Sequence, residues 1–335
     1  MNGNESKLYD ALTRIAETAN QAIGECECAE RHGHEESSGR MGELPSCTIK
    51  RLPNRLQVKA AEIASNIDPL NTPFNDRFHS PALRALNLAP AGTDLQVMEP
   101  QRISILTSKY WGKEPRKLTV SFMETTPADL RKRIISHMNA WTKTGGISFV
   151  WTSGIGQVRI SRGGGGYYSY LGTDILLIPK NRQTMNLQGF TMNTPESEYR
   201  RVVRHETGHT LGCPHEHMRK ALVERIDPQK AYDYFWRTQG WDKAMVDAQV
   251  LTPLNEASLM STPPDQTSIM CYQLPSSITR DGDPILGGKD INATDFAFIG
   301  ERYPKVGAVF AGDEGRAAEA SNEWDESEDV DDVDI

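Results

Sequence analysis

Three observations predict an α+β fold for this chain of 335 residues. Short runs of alternating apolar residues between about 116 and 161 have the period of strands, and the stretch between two of them has the period of a helix. The segment "VVRHETGHTLGCPHEHMR", Val202 to Arg219, has helical histidine spacing followed by a helix stop. A capped stretch ending at Pro304 reads as a closing helix.

At the N-terminus, residues 4–23 predict a helix with Leu8, Leu12, Ile15, Ala16, Ala19 and Ile23 on one stripe. "CECAERHGHEESSG" follows, and prolines punctuate the chain to about residue 100. Cys26, Cys28, His32, His34 and Cys47 are metal-ligand types, but their spacing matches no standard site. A polar linker with incidental thiols is the expectation there.

In the main body, Leu118, Val120 and Phe122 alternate as a strand. Thr126, Pro127 and Asp129 supply a cap, a first-turn proline and a capping-box acid for the helix that follows. Its buried stripe is Leu130, Ile134, Ile135, Met138 and Trp141, and Gly145–Gly146 end it. "ISFVW" and "VRIS" predict the next strands, and "TDILLIPKNRQTMNLQGFT" predicts further ones, including the strand that edges a cleft. "RGGGGYY" lacks the Gly-Lys-Ser/Thr ending of a phosphate loop and reads as a flexible rim. Thr194-Pro195-Glu196 opens the histidine helix with acids in its first turn. "NATDFAFIGERYP" predicts the closing helix, capped at Asn292 or Thr294. No internal repeat is visible.

Four of the eight histidines lie within Val202–Arg219. His205 and His209 are four apart, so at about 100° per residue they share one face, one turn apart. Glu206 projects beside that face, within reach of a metal-bound water. If the helix continued, His215 would lie roughly 240° from His209 and face away. Gly212 and Pro214 instead stop the helix and turn the chain, delivering His215 as a third ligand. Three imidazoles with one open position make a catalytic zinc site rather than a structural one. A solvated helix face would account for one histidine, not for His-Glu-x-x-His-x-x-Gly-x-x-His in full.

This extended motif resembles that of the metzincin metallopeptidases, which pair it with a downstream methionine turn. "SIMCYQLP", Ser268 to Pro275, supplies Met270 and, two residues on, Tyr272. Within that clan the chain is most similar to the astacin family. The motif runs on into Glu216, the turn reads Ser-Ile-Met-x-Tyr, and "GGYYSYLG" (Gly165 to Gly172) resembles a stretch beside the astacin cleft. The resemblance spans roughly 108–304. It implies a metzincin-like zinc peptidase with a mixed, mostly parallel twisted sheet and the zinc helix above a Met-turn subdomain. Tyr167 stands where astacins usually carry a cysteine, Cys213 replaces an aromatic or apolar residue, and Cys271 replaces a frequent histidine. The chain therefore reads as a divergent member or a sister family.

The same resemblance implies zinc-dependent endopeptidase chemistry on protein or peptide substrates. His205, His209 and His215 bind one catalytic zinc per chain, Glu206 is the general base, and Tyr272 meets the oxyanion. Met270 is a hydrophobic floor, since a thioether suits zinc poorly. Glu216 anchors a trimmed N-terminus. Cys213 and Cys271 converge under the metal, either as a disulfide or as two buried thiols. Substrate lies extended along the edge strand. Two other readings are a catalytically weak zinc-containing peptide-binding module and a non-proteolytic zinc amidohydrolase; retention of Glu206 speaks against the first, the edge strand and full Met-turn against the second.

The implied organisation is a helical and linker segment over 1–100, a candidate pro-segment; a catalytic domain over 101–306; and an acidic disordered tail over 307–335. Cys26, Cys28, Cys47 and the acids near "NDRF" are candidates to block the metal, none with a matching motif, while "FAGD" (Phe310 to Asp313) resembles the astacin inhibitory motif but lies after the catalytic stretch. Asp313–Ile335 carries a net charge of −10, which against −8 for the whole chain leaves the remainder near +2. That balance gives no nucleic-acid footprint. No apolar run reaches the length of a membrane span, and a monomer is the default expectation. The first residues lack the basic start and apolar core of a secretory signal, so the expectation is a cytoplasmic protein or export by a signal-independent route.

Overall fold

The computed structural model describes residues 47–71, 104–255, 259–261 and 263–305. The chain divides between Leu44 and Pro45, and every described residue belongs to the second unit. The expected helix over 4–23 and the expected acidic tail lie outside the described residues.

The elements that position the site are, in chain order, α1 (Gln57–Ile67), β1 (Ser104–Leu106), β2 (Arg116–Phe122), α2 (Ala128–Met138), β3 (Ile147–Trp151), β4 (Val158–Ser161), β5 (Tyr167–Ser169), β6 (Met185–Leu187), α3 (Arg204–Thr210), α4 (Pro228–Gln239), β7 (Leu259–Ser261) and α5 (Ala293–Arg302). Five strands form one sheet in the order β3-β2-β4-β6-β5. β2 pairs parallel with β3 and β4, β4 pairs parallel with β6, and β5 runs antiparallel to β6 at the edge. The sheet is mixed and mostly parallel, as the sequence implied. β1 and β7 form a separate antiparallel pair.

The main core lies between this sheet and two helices. Leu118, Val120, Phe149, Val158 and Ile160 come from the strands, Leu130, Ile134 and Met138 from α2, Val202 and Val203 from the histidine region, and Met270 from the turn that follows Ser268. Of the stripe predicted for α2, Leu130, Ile134 and Met138 are buried, Ile135 is half-buried, and Trp141 is buried on the 3-10 turn that follows, while His137 joins the buried face unpredicted. A second cluster, including Leu222, Ile226, Phe235, Val250 and Leu274, builds the C-terminal lobe. Asp227 caps α4 through the N–H groups of Gln229 and Lys230. Asn292 and Asp295 form a full capping box at the start of α5.

Two local expectations are corrected. Thr126 does not cap α2: its hydroxyl donates to Glu124 O, and Pro127 holds the cap position with no side-chain bond. The cleft edge is Tyr167–Ser169, upstream of the stretch expected to supply it. Gly172 adopts φ +45, Thr173–Leu177 coils into a 3-10 helix, and Asp174 is drawn in to Lys109 Nζ at 2.6 Å. A left-handed glycine followed by a buried ion pair ends extended structure there.

Residues 47–71 pack on this body. Cys47 and Lys50 bridge in parallel to Tyr167 and Tyr170, and Thr48 N–H donates to Tyr167 O at 3.0 Å. Leu52 and Ala60 share a cluster with Ile178. The Asn71 carboxamide ties α1 to Tyr110, donating to Ala64 O and Tyr110 O and accepting from Tyr110 N–H. Among the described residues no helix is long and apolar enough to cross a membrane.

Candidate metal centre

The histidine helix begins at Glu196–Glu198, passes through a π-helical turn at Tyr199–Val203, and continues as α3. It ends where predicted. Gly212 adopts φ +96, and Cys213 N–H closes back on Gly208 O at 3.0 Å. Two end carbonyls are satisfied by distant side chains, Trp111 Nε1–H on Thr210 O and Tyr303 O–H on Leu211 O. The chain then turns, and Glu216 N–H donates to Met270 O, fastening the third histidine's segment to the methionine turn.

This folding gathers His205, His209 and His215, as the motif predicted, and adds Cys47. One donor atom from each lies within 4.8 Å of the others, and all four residues are buried. His209 Nε2 stands 3.2 Å from His215 Nε2 and 3.4 Å from Cys47 Sγ. His205 Nδ1 meets Ile269 O at 2.6 Å and His209 Nδ1 meets Cys213 O at 2.7 Å. A carbonyl can only accept, so both Nδ1 atoms carry the proton and both Nε2 atoms present lone pairs to the shared space. His205 Nε2 and both Glu206 carboxylate oxygens are buried with no hydrogen-bond partner among the described residues. Convergent imidazole nitrogens, a thiol and orphaned buried acceptors fit a zinc ion.

Burial also fixes the charge states. It lowers all three imidazoles, His205 to about 4 and His209 and His215 well below the usual histidine range. They are neutral, as metal ligation requires. Burial pushes Glu206 up to about 8, partly offset by the Cys47 thiol and the Arg201 guanidinium beside it. The Cys47 thiol is pushed well above its ordinary value by burial and then by Glu206.

Met270 lies under α3, fully buried. A Cβ on Gly208 would overlap its Sδ, so this glycine is where the turn meets the helix. Asp295 holds the turn from below, accepting from Ser268 Oγ–H and Ile269 N–H. Tyr272 stacks edgewise on His215 with centroids 5.1 Å apart, and its hydroxyl donates to Cys47 O at 3.0 Å. Glu216 is buried against Arg219 at 3.2 Å and accepts from Asp265 N–H. Cys213 and Cys271 are buried free thiols in separate clusters, the second of the two outcomes expected for them.

A buried His-Glu-x-x-His helix, a third histidine delivered past a left-handed glycine, and a methionine turn beneath define a metzincin-type zinc metalloprotease. One solved structure carries the same likeness. The structure of myroilysin is 31% identical, covering 60% of this chain and 98% of that one, with a TM-score of 0.57. A second, the crystal structure of myroilysin, is 33% identical over 59% and 87% of the two chains, with a TM-score of 0.46. High choriolytic enzyme 1, a hatching enzyme zinc-protease from Oryzias latipes (medaka fish), is 20% identical over 58% and 93%, with a TM-score of 0.39. No protein-family model and no curated protein matches the sequence. The chain belongs to the astacin-like metzincins, as a divergent member.

The sequence offered Cys47 both as an incidental linker thiol and as one of several candidates to block the metal; the structure brings it, among the described residues, to the histidines. Its only signal in the sequence was a metal-ligand residue type, which by itself decides nothing. Gln249 carries no motif, and Asp295 belongs to the capping box that opens α5, which gives no hint of its second task under the methionine turn.

Proposed function

We propose that the chain is a zinc endopeptidase stored in a closed state by its own segment Cys47–Lys50. The observation that carries this reading is the meeting of Cys47 Sγ with three histidine donors while its backbone lies along the β5 edge. His205, His209 and His215 would hold the ion, and Cys47 would close the fourth position that a substrate needs. Bound zinc supplies Lewis acidity, acidifying water toward neutrality and polarising a peptide carbonyl. Glu206, released from the Cys47 thiol once the segment leaves and facing the same space, takes the proton of the attacking water and delivers it to the leaving amine. Tyr272 gives up Cys47 O when the segment leaves and donates to the developing oxyanion. Main-chain pairing along β5 selects extended peptide rather than a particular sequence. The candidate pro-segment over 1–100 would then act through residues 47–50 on the catalytic domain over 101–306.

The test is casein hydrolysis by the full chain and by Cys47→Ser, each with and without 1,10-phenanthroline. Cys47→Ser is expected to gain chelator-sensitive activity while keeping about one zinc per chain on its three histidines. His215→Ala is expected to lose most of the zinc, because two imidazoles and water hold it poorly. Zinc-loaded Cys47→Ser with no hydrolysis would refute the peptidase reading, and equal activity in both chains would refute latency through Cys47.

A further inference from the structure

The cleft grips Cys47–Lys50 from two sides. In an extended strand, successive residues present their N–H and C=O to opposite sides. Thr48 N–H faces β5 and bonds Tyr167 O at 3.0 Å. Ile49 faces the other wall, where one side chain takes both its main-chain groups. Ile49 N–H donates to Gln249 Oε1 at 3.0 Å, and Gln249 Nε2 donates to Ile49 O at 3.3 Å. The glutamine amide thus stands in for a neighbouring strand. The Ile49 side chain fills an apolar socket with Leu171 and Met218, rimmed by Leu254.

Gln249 is built in place. It sits on the π-helical turn Asp247–Leu251 and is itself 8% exposed. Its backbone O accepts from His217 Nε2–H at 2.9 Å, and His217 Nδ1 accepts from Tyr272 N–H. The wall is therefore tied to the exit of the methionine turn. Among the described residues its carboxamide has no partner except Ile49. When the segment leaves, the amide presents a donor and an acceptor, held in place by the wall, to any main chain that enters.

We infer that Gln249 and the Leu171–Met218–Leu254 socket form a substrate subsite, binding the main chain of an extended peptide and an aliphatic side chain on it. This rests on the peptidase reading above. The amide can turn over about its last, roughly two-fold torsion, so it serves a strand of either direction. Antiparallel pairing with β5 is the stronger arrangement. A substrate so paired runs opposite to Cys47–Lys50, which puts the socket on the N-terminal side of the scissile bond. Ile49 lies two residues from the thiol at the metal donors, so the socket takes the second or third residue before that bond.

The experiment uses the full-length, zinc-loaded chain carrying Cys47→Ser and Ile49→Asp, which removes the thiol and expels residue 49 from the apolar socket. Its cleavage sites in a peptide library, read by mass spectrometry, are expected to show Ile, Val or Leu enriched two or three residues before the scissile bond. Adding Gln249→Leu, which keeps volume and loses both hydrogen bonds, is expected to raise KM about tenfold with kcat within threefold. Adding Leu254→Lys is expected to move the preference toward acidic residues at that position. Independently of turnover, Gln249→Leu in the otherwise wild-type chain should speed alkylation of Cys47 about tenfold, with Cys213 and Cys271 unchanged. Zinc-dependent turnover with no aliphatic enrichment and an unmoved KM overturns this inference and leaves the peptidase reading standing. No turnover by the opened, zinc-loaded chain overturns both.

Discussion

Gly208 is the position where helix, methionine turn and core meet, and its replacement by alanine gives two opposed effects whose sum has a definite sign. In a helix interior alanine is favoured over glycine by about 1 kcal/mol. Against that, the new Cβ would overlap Met270 Sδ, stand 3.1 Å from Met270 Cε and 3.3 Å from Trp141 Cζ2. Carbon contacts are optimal near about 3.5–4.0 Å. Met270 and Trp141 are both buried at 1% exposure or less, so neither can swing into solvent. Overpacking of this kind costs about 1–3 kcal/mol, and outright overlap belongs at the upper end. The net expectation is a loss of about 2 kcal/mol, a fall in Tm of roughly 4–8 °C for a body of this size. The assay is thermal unfolding at fixed free zinc, since ligand binding itself raises Tm. A double-mutant cycle isolates the contact. Met270→Ala alone costs about 2–5 kcal/mol through the cavity it leaves. In that background Gly208→Ala is expected to turn neutral or stabilising, because the sulfur is gone and the helix propensity remains. Wild-type stability of Gly208→Ala, or an equal loss in both backgrounds, refutes the packing argument.

Three further outcomes follow from the site, the first two measured in the Cys47→Ser chain. Glu206→Gln should keep its zinc while kcat falls at least about 10²–10⁴-fold, since shape is kept and the base is lost; wild-type turnover with zinc bound would sink the mechanism. Tyr272→Phe should lower kcat and kcat/KM together by about 10²–10³, with KM little changed, and full activity would remove the tyrosine from the chemistry. Asp295→Asn places an N–H₂ among three donors, Ser268 Oγ–H, Ile269 N–H and Asn292 N–H. Because Ile269 O orients His205, zinc affinity should fall by about tenfold or more in a chelator competition, and an unchanged affinity would disconnect Asp295 from the metal.

The zinc motif was legible because its logic is local. A spacing of four puts His205 and His209 on one face, and Gly212 has the φ of +96 that only a residue without a Cβ enters freely. The strands around Leu118, Phe149 and Ile160 were legible for the same reason, since burial on a sheet imposes its own period. The edge strand was misplaced because "YYS" is too short to show a period, whereas "TDILLI" looks extended until Asp174 meets Lys109 across the fold. Thr126 illustrates the limit of capping rules, its hydroxyl being claimed by Glu124 O. Cys47, Gln249 and Asp295 lie at least 158, 40 and 86 residues respectively from the histidine pair that opens the motif. No local pattern assigns any of the three to the site: Gln249 has none, Asp295 reads as a helix cap, and Cys47 is one of several thiols. Their roles come from contacts between segments far apart in the chain, Cys47 Sγ on His209, Gln249 on Ile49, Asp295 under Ile269. The sequence by itself determined which residues have the chemistry to bind zinc; only the tertiary structure decided which thiol joins them and which amide lines the cleft, because periodicity and spacing act along the chain and these contacts act across it.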